Sequence, residues 1–336
     1  MRRYFLWFTS LSILLIPIIA FISYAFLFSP QTPKTTVQLQ IQPGTGLNKI
    51  AIDLQTTGVV RSALAVKLLA RWNQQSGQIQ AGNYRFSNPA TPGEVLDRLI
   101  QGDVEKVSLT IPEGFTLQQI IARTAEQGFG LQDKLSKLAY DGDFIRSMDI
   151  EAASLEGYLF PETYLFAPGI DEKSLLKMMV VQLRSHTDSK LKEDAKKLGL
   201  TLHQWLTLAS IIEKETGIVA EMPLISSVFH NRLKRYIPLQ TDPTVIYGIK
   251  NYDGNITRQH LKTPTPYNTY LNRGLPPGPI ASPGLAALKA AVHPAETELL
   301  YFVARGDGGH QFSKTLKEHN IAVREYLNQR RRNKKK

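Results

Sequence analysis

Residues 208–248 read LASIIEKETGIVAEMPLISSVFHNRLKRYIPLQTDPTVIYG, and this stretch decides how the rest of the chain is read. Leu208, Ile211 and Ile212 open it as an apolar helix that sets two carboxylates, Glu213 and Glu215, just ahead of Gly217. A second helical pattern follows, with Val228 and Leu233 on its apolar side. The chain then turns polar through Gln240-Thr241-Asp242-Pro243-Thr244, a run rich in hydrogen-bonding groups and punctuated by proline. Acids that end a buried helix and face such a segment are what acid catalysis on a polar polymer requires. The same letters describe a helix whose last turn is simply solvated, and pattern alone leaves the two readings level.

The 336 residues suffice for roughly two domains beyond a targeting segment. A hydrophobic fraction of 43% permits ordinary globular cores. The absence of cysteine excludes disulfides, thiolate zinc sites, a cysteine nucleophile and an acylated lipoprotein anchor. A formal charge of +11 suits nucleic acid, anionic lipid or an acidic polymer equally. Part of that excess sits in a basic tail, residues 330–336, which lacks interleaved aromatics and reads as a solvated terminus. No zinc finger, RNP-like segment or helix-turn-helix signature supports a nucleic-acid partner.

Residues 1–29 read as a cytoplasmic start and membrane anchor. Met1-Arg2-Arg3 precedes an almost uninterrupted apolar run from Tyr4 to Phe28. About 25 helical residues span roughly 37 Å, ample for a hydrocarbon core of about 30 Å. Aromatic residues cluster at both ends, and no A-x-A-like cleavage site follows. The arginines ahead of the run, with only Lys34 just after it, place the amino terminus inside and the body outside. Residues 30–36 form a polar linker.

From 37 to 105 the pattern is that of a small α/β module. Val37, Leu39 and Ile41 alternate as a strand, and Leu47–Leu54 and Leu64–Trp72 are helical. Gly82–Phe86 is a strand, and Pro92-Gly93-Glu94 opens a helix. The segment I-x-x-G-x-x-L-x-x-I occurs twice, at Ile41–Ile50 and Ile111–Ile120, each reading as strand, glycine turn and capped helix, with Thr116 a cap candidate. The Pro43-Gly44 turn into a helix also resembles the LysM peptidoglycan-binding module. Residues 106–329 form the second, mixed α+β domain, built around the Glu215 helix. Within it, residues 130–153 read as mixed and loop-rich, and Leu175–Leu198 as one long charged helix. The Pro-, Gly- and Tyr-rich stretch 264–279 is a functional loop or lid. Glu156-Gly157-Tyr158-Leu159-Phe160-Pro161-Glu162-Thr163-Tyr164 carries two carboxylates among aromatics, as a carbohydrate cleft or a packed loop would.

No GxSxG, GxxxxGK[ST] or HExxH motif is present, no S-x-x-K comes with its partner motifs, and the seven histidines are scattered, so neither a metal nor a cofactor is expected. Carboxylate chemistry remains. Glu213 and Glu215 point about 200° apart on a helix and cannot form a facing dyad. Ile211, Ile212 and Leu208 surround Glu215 with apolar matter that raises a carboxyl pKa. Leu206 and Ala209 do something similar for Glu213, so the preference for Glu215 is slight. A conventional glycosidase needs two carboxylates; one acid suffices where the substrate supplies its own nucleophile.

The segments ASIIEKET, SVFHNRL, LQTDPTVIYG, TPYNTY, GLPPGPI, AAVHPA, YFVARGDGGHQF and EGYLFPETY, spread from Glu156 to Phe312, resemble the endolytic murein transglycosylase (YceG-like) family. That resemblance implies a lyase acting on peptidoglycan glycan strands. Glu215 would protonate the bond between N-acetylmuramic acid and N-acetylglucosamine, leaving 1,6-anhydromuramyl ends. It also implies action on nascent strands beside peptidoglycan synthases. Gln240, Thr241, Asp242, Tyr267 and Asn268 are expected in the cleft, with Glu156 and Tyr158 as further candidates. The competing readings are a non-catalytic glycan-binding scaffold and a hydrolase using Asp242 or Glu156 as second carboxylate. Glu162 stands where many relatives carry aspartate.

Overall fold

A computed structural model describes residues 21–167, 169–250 and 252–333, which form two compact units. Most of the expected membrane span lies outside the described residues. Among those described, no helix is long and apolar enough to cross a membrane.

The first unit comprises Met1–Ser108 and Leu165–Gly169. After a helical segment at 21–28, strand β1 (Val37–Ile41) leads into α1 (Leu47–Thr56) and α2 (Ala63–Trp72). Strand β2 (Gly82–Phe86) and α3 (Pro92–Gln101) follow. β1 and β2 pair antiparallel, Val37 opposite Phe86 and Ile41 opposite Gly82. Their alternation sends Leu39, Ile41, Tyr84 and Phe86 into a core shared with Ile50, Leu54, Val66, Val95 and Leu99. α3 starts on a capping box between Thr91 and Glu94 and stops at Gly102, whose φ of 65° suits a residue without Cβ.

The second unit comprises Leu109–Tyr164 and Ile170–Lys336. Strand β3 (Val107–Thr110) enters it, and α4 (Leu117–Glu126), α5 (Gln132–Ala139) and α6 (Gly142–Arg146) follow. β3 forms a two-stranded sheet with β4 (Thr163–Phe166). The expectation of a loop-rich stretch at 130–153 is therefore corrected. Leu135, Ala139, Phe144 and Ile145 bury one face of α5 and α6, and the Asp141 carboxylate caps α6 through the Phe144 amide at 2.7 Å. The repeated segment appears in the geometry: Gly44 (φ 82°) turns β1 into α1, and Gly114 (φ 72°) precedes α4. Thr116 caps α4 with Gln119, whereas Gly46 caps α1 without a side chain.

The single long helix read at Leu175–Leu198 is two, α7 (Glu172–His186) and α8 (Ser189–Lys197). Asp188 accepts the Leu191 amide at 2.8 Å and starts a new helix where hydrophobic spacing alone runs on. The central α9 (Leu202–Glu215) opens on a Thr201–Gln204 capping box, and α10 (Met222–Lys234) follows it. Within the polar run at 240–244, Asp242 and Pro243 open α11 (Asp242–Gly248), proline fitting a first turn that needs no N–H. α12 (Arg258–Lys262) and a turn-rich stretch lead to α13 (Leu285–Val292). An antiparallel hairpin of β5 (Tyr301–Ala304) and β6 (His310–Ser313) precedes the terminal α14 (Leu316–Asn333).

Trp205 through Ile212 are all buried, so α9 is enclosed on every side along its middle. It packs on α13, where Ala287, Ala290 and Ala291 allow close approach. The Trp205 indole N–H donates to the Leu288 carbonyl at 2.8 Å, and the Ser210 hydroxyl accepts the Ile280 amide at 3.0 Å. Trp205→Ala is expected to cost the second unit about 3–5 kcal/mol, as other large core truncations do. Urea unfolding followed by circular dichroism checks this.

Candidate active site

The last turn of α9 fans out three side chains with three different duties. Glu213 accepts the Gly284 amide at 3.0 Å and so holds the N-terminal cap of α13. The Lys214 ammonium donates to the Gly114 carbonyl at 3.1 Å. Glu215 is left to point the other way, where its carboxylate accepts the Thr241 hydroxyl. Partners distant in sequence give the two glutamates different settings, Glu213 at the start of α13 and Glu215 at a cavity.

Glu215 keeps part of its surface open to a cavity of about 450 Å³ that Arg232, Gln240, Asp242, Tyr270 and His310 also line. Protein packed around its carboxyl pushes the pKa up to about 7; desolvation is the main cause, and the Asp242 charge adds to it against the pull of the Thr241 bond. Asp242 accepts the Tyr270 hydroxyl at 2.7 Å. Burial first, and then the Asp242 bond, raise the Tyr270 phenol, which stays a neutral donor.

The segment before α11 is fixed by many bonds. Gln240 adopts a left-handed φ of 53°, and its amide donates to the Thr269 carbonyl at 3.1 Å. The Thr241 amide donates to the Thr269 hydroxyl at 3.1 Å, and the Thr244 hydroxyl to the Thr241 carbonyl at 2.8 Å. Arg232, buried on α10, donates to the carbonyls of Pro238, Leu239 and Leu300 at 2.6–3.0 Å, and to Gln240 Oε1 at 3.2 Å. One guanidinium thus gathers the turn and the approach to β5 around the acid. Opposite, Glu221 accepts both the amide of His310 (2.9 Å) and its Nδ1 (2.7 Å), which fixes the imidazole at the cavity wall.

A second cavity, of about 650 Å³, lies at the other end of α11 and is lined by Gln118, Tyr140, Glu156, Tyr247, Lys250 and Tyr267. Glu156 is buried and accepts the Leu117 amide at 2.9 Å and the Tyr247 hydroxyl at 3.0 Å. Desolvation pushes its pKa up to about 7 although those hydrogen bonds pull it down. The rings of Tyr247 and Tyr267 lie 4.8 Å apart, tilted against each other.

Of the residues expected at the site, Gln240, Thr241 and Asp242 gather around Glu215, while Glu156 and Tyr267 line the second cavity. Tyr158 belongs to neither. It is buried, and its hydroxyl meets His203 Nδ1 at 2.8 Å, while His203 Nε2 donates to the Pro277 carbonyl at 2.8 Å. Asn268 is fully buried as a loop clasp: its amide group donates to the carbonyls of Leu261 and Thr263, and its oxygen accepts the Tyr270 amide. Arg232, Tyr270 and His310 were not singled out by sequence reasoning. Each stood inside a quoted block, but only the folded chain aims them at one cavity.

The chain matches the model of the YceG-like family over residues 39–325. It is 36% identical over 311 residues to an endolytic murein transglycosylase of Bacillus subtilis (strain 168), covering 88% of this chain and 86% of that protein. An endolytic murein transglycosylase of Streptococcus pneumoniae serotype 2 is 28% identical, and the match covers 88% of this chain and 59% of the longer relative. A crystal structure of a yceG-like protein from Listeria monocytogenes matches with a TM-score of 0.60 and 32% identity, over 86% of this chain and 99% of that one.

Because the Glu215 pKa is raised on folding, the folded state binds that proton more tightly than the unfolded chain does. The stability so gained is complete below the ordinary carboxyl value and disappears as pH climbs to about 7. Glu215→Gln removes the cost of the buried charge. The variant is expected to be more stable than the native protein by up to about 3 kcal/mol at pH 8, at about 1.4 kcal/mol per pKa unit, and by nothing at pH 4. Urea unfolding at the two pH values measures the difference.

Proposed function

The chain belongs to the YceG-like family, and from that premise we propose that it is a peptidoglycan lytic transglycosylase in which Glu215 is the sole acid and base. The observation that carries this is the Glu215 carboxyl, raised to about 7 and partly open to a cavity among fixed polar side chains, whereas Glu156, raised likewise, is buried with its oxygens taken by the Leu117 amide and the Tyr247 hydroxyl. Protonated Glu215 donates to the glycosidic oxygen between N-acetylmuramic acid and N-acetylglucosamine as the bond from that oxygen to C1 breaks. The muramyl 6-hydroxyl oxygen bonds to C1, and its proton passes to the Glu215 carboxylate. No water is consumed, the product ends in a 1,6-anhydromuramyl unit, and the enzyme returns to its starting state. A pKa near neutrality suits a group that must give a proton and take it back. The Thr241 hydroxyl stabilises the carboxylate formed midway and fixes its direction.

Endolytic cutting requires sugars on both sides of the bond. α11 runs from Asp242 beside the acid to Tyr247 in the second cavity, about 8 Å along its axis. The tyrosines there offer faces for sugar rings and hydroxyls for sugar oxygens, which supports reading Glu156, Tyr247 and Tyr267 as holding the strand farther along.

The apolar run Tyr4–Phe28 behind Arg2 and Arg3 supports a single-pass anchor in the bacterial inner membrane, with the catalytic body outside. The resemblance adds nascent strands as substrate, peptidoglycan synthases as neighbours, and a LysM-like role for the first unit. A hydrolase is the second reading, because Asp242 shares the cavity with Glu215.

Mass analysis of products from un-crosslinked glycan strands tests the reaction. The native protein is expected to leave anhydromuramyl ends, and Glu215→Gln to lose about 10²–10⁴ in turnover. Reducing ends would instead make Asp242 the second carboxylate of a hydrolase, and binding without cleavage would make the protein a scaffold. Tyr247→Ala with Tyr267→Ala is expected to raise KM for long strands by about tenfold, on the order of one lost stacking and hydrogen-bonding contact, with little change for short ones. Turnover measured against strand length separates the two.

A further inference from the structure

The outward face of α2 has a composition that neither cavity nor core accounts for. Ala63, Ala65, Val66 and Ala70 bury one side of the helix. At 100° per residue, Leu64, Leu68 and Trp72 fall within about 80° of one another on the opposite side, and Lys67 and Arg71 lie along one edge of that arc. Leu64, Leu68 and Trp72 are 53%, 50% and 88% exposed, a contiguous apolar stripe open to solvent. Neither Lys67 nor Arg71 has an ion-pair partner among the described residues. From Asp53 to Glu94 the chain carries Arg61, Lys67, Arg71 and Arg85 and not one carboxylate side chain between those two acids.

A second observation locates this face. The helical segment at 21–28 is the end of the apolar run, and it exposes Phe21, Ile22, Tyr24 and Phe26. The guanidinium of Arg61 lies 4.8 Å over the Phe26 ring, and α2 begins two residues later. The stripe therefore starts where the apolar run stops.

We propose that the Leu64–Leu68–Trp72 face of α2 docks on the surface of an anionic lipid bilayer, the bilayer that the apolar run enters. Leucines and a tryptophan rimmed by lysine and arginine are the composition of a helix lying in a membrane interface. There the indole sits at headgroup depth and the cations meet lipid phosphates. Charge complementarity decides the occupant: a helix without carboxylates of its own, edged by cations that have no ion-pair partner among the described residues, suits phosphatidylglycerol better than a neutral protein surface. Docking would hold the first unit flat against the membrane.

The chain has three tryptophans, Trp7, Trp72 and Trp205, and Trp205 is buried in the second unit. The full chain with Trp7→Phe, reconstituted in vesicles of phosphatidylglycerol and phosphatidylcholine, therefore reports on Trp72 once the signal of a Trp72→Phe control is subtracted. Docking predicts that lipids spin-labelled near the headgroup remove most of the Trp72 emission while aqueous iodide removes little. Lys67→Gln with Arg71→Gln, or pure phosphatidylcholine vesicles, should reverse that order. Free access to iodide without lipid quenching in phosphatidylglycerol vesicles would overturn the proposal. Shielding from both quenchers would overturn it too, by assigning the stripe to another copy of the chain, or to glycan if the shielding required added strands.

Discussion

Along α9, from Trp205 to Ile212, every residue is buried, and a charge can stand only where that enclosure ends. The enclosure is what makes Glu215 useful. A carboxyl at the mouth of an apolar helix loses hydration before it gains any cation, so its proton is held at a pH where ordinary carboxyls have released theirs. The surrounding polar groups act within that limit. Thr241 supplies a neutral donor, Tyr270 engages Asp242, and the Arg232 guanidinium is occupied by backbone carbonyls. Among the described residues, the Glu215 carboxyl thus has no salt bridge that would pull its pKa back down.

The elements whose signals are local were legible in the sequence. Thr201 with Gln204, and Thr116 with Gln119, announce helix starts within four residues, and the alternation at Val37–Ile41 announces a strand. The elements that depend on partners far along the chain were not. The break between α7 and α8 rests on the Asp188 cap inside an unbroken charged pattern. The different settings of Glu213 and Glu215 rest on Gly284 and Thr241, which lie 71 and 26 residues away. Asn268 and Tyr158 look like site residues because their types are polar and aromatic, yet each completes a buried hydrogen-bond set. Residue type announces capacity; only the fold shows whether that capacity is already engaged.

α11 joins the two cavities and explains why its first turn is so heavily braced. Asp242 and Tyr247 are on one short helix, so a shift at one end is felt at the other. Gln240, held in a left-handed conformation ahead of it, is a position where a side chain is tolerated only because the Arg232 and Thr269 bonds fix the turn.

The path of the chain through the two units bears on how such a protein could have been assembled. The first unit ends at Ser108 and resumes at Leu165–Gly169, so the residues of β3 and of β4 are each divided between units. A cut ahead of Val107 leaves both strands whole within residues 107–336, but it also takes Leu165–Gly169 away from the first unit. A gene that lost the amino-terminal module by one recombination event would leave Leu165–Gly169 behind without the unit they belong to, a cost that inheriting the two units together avoids.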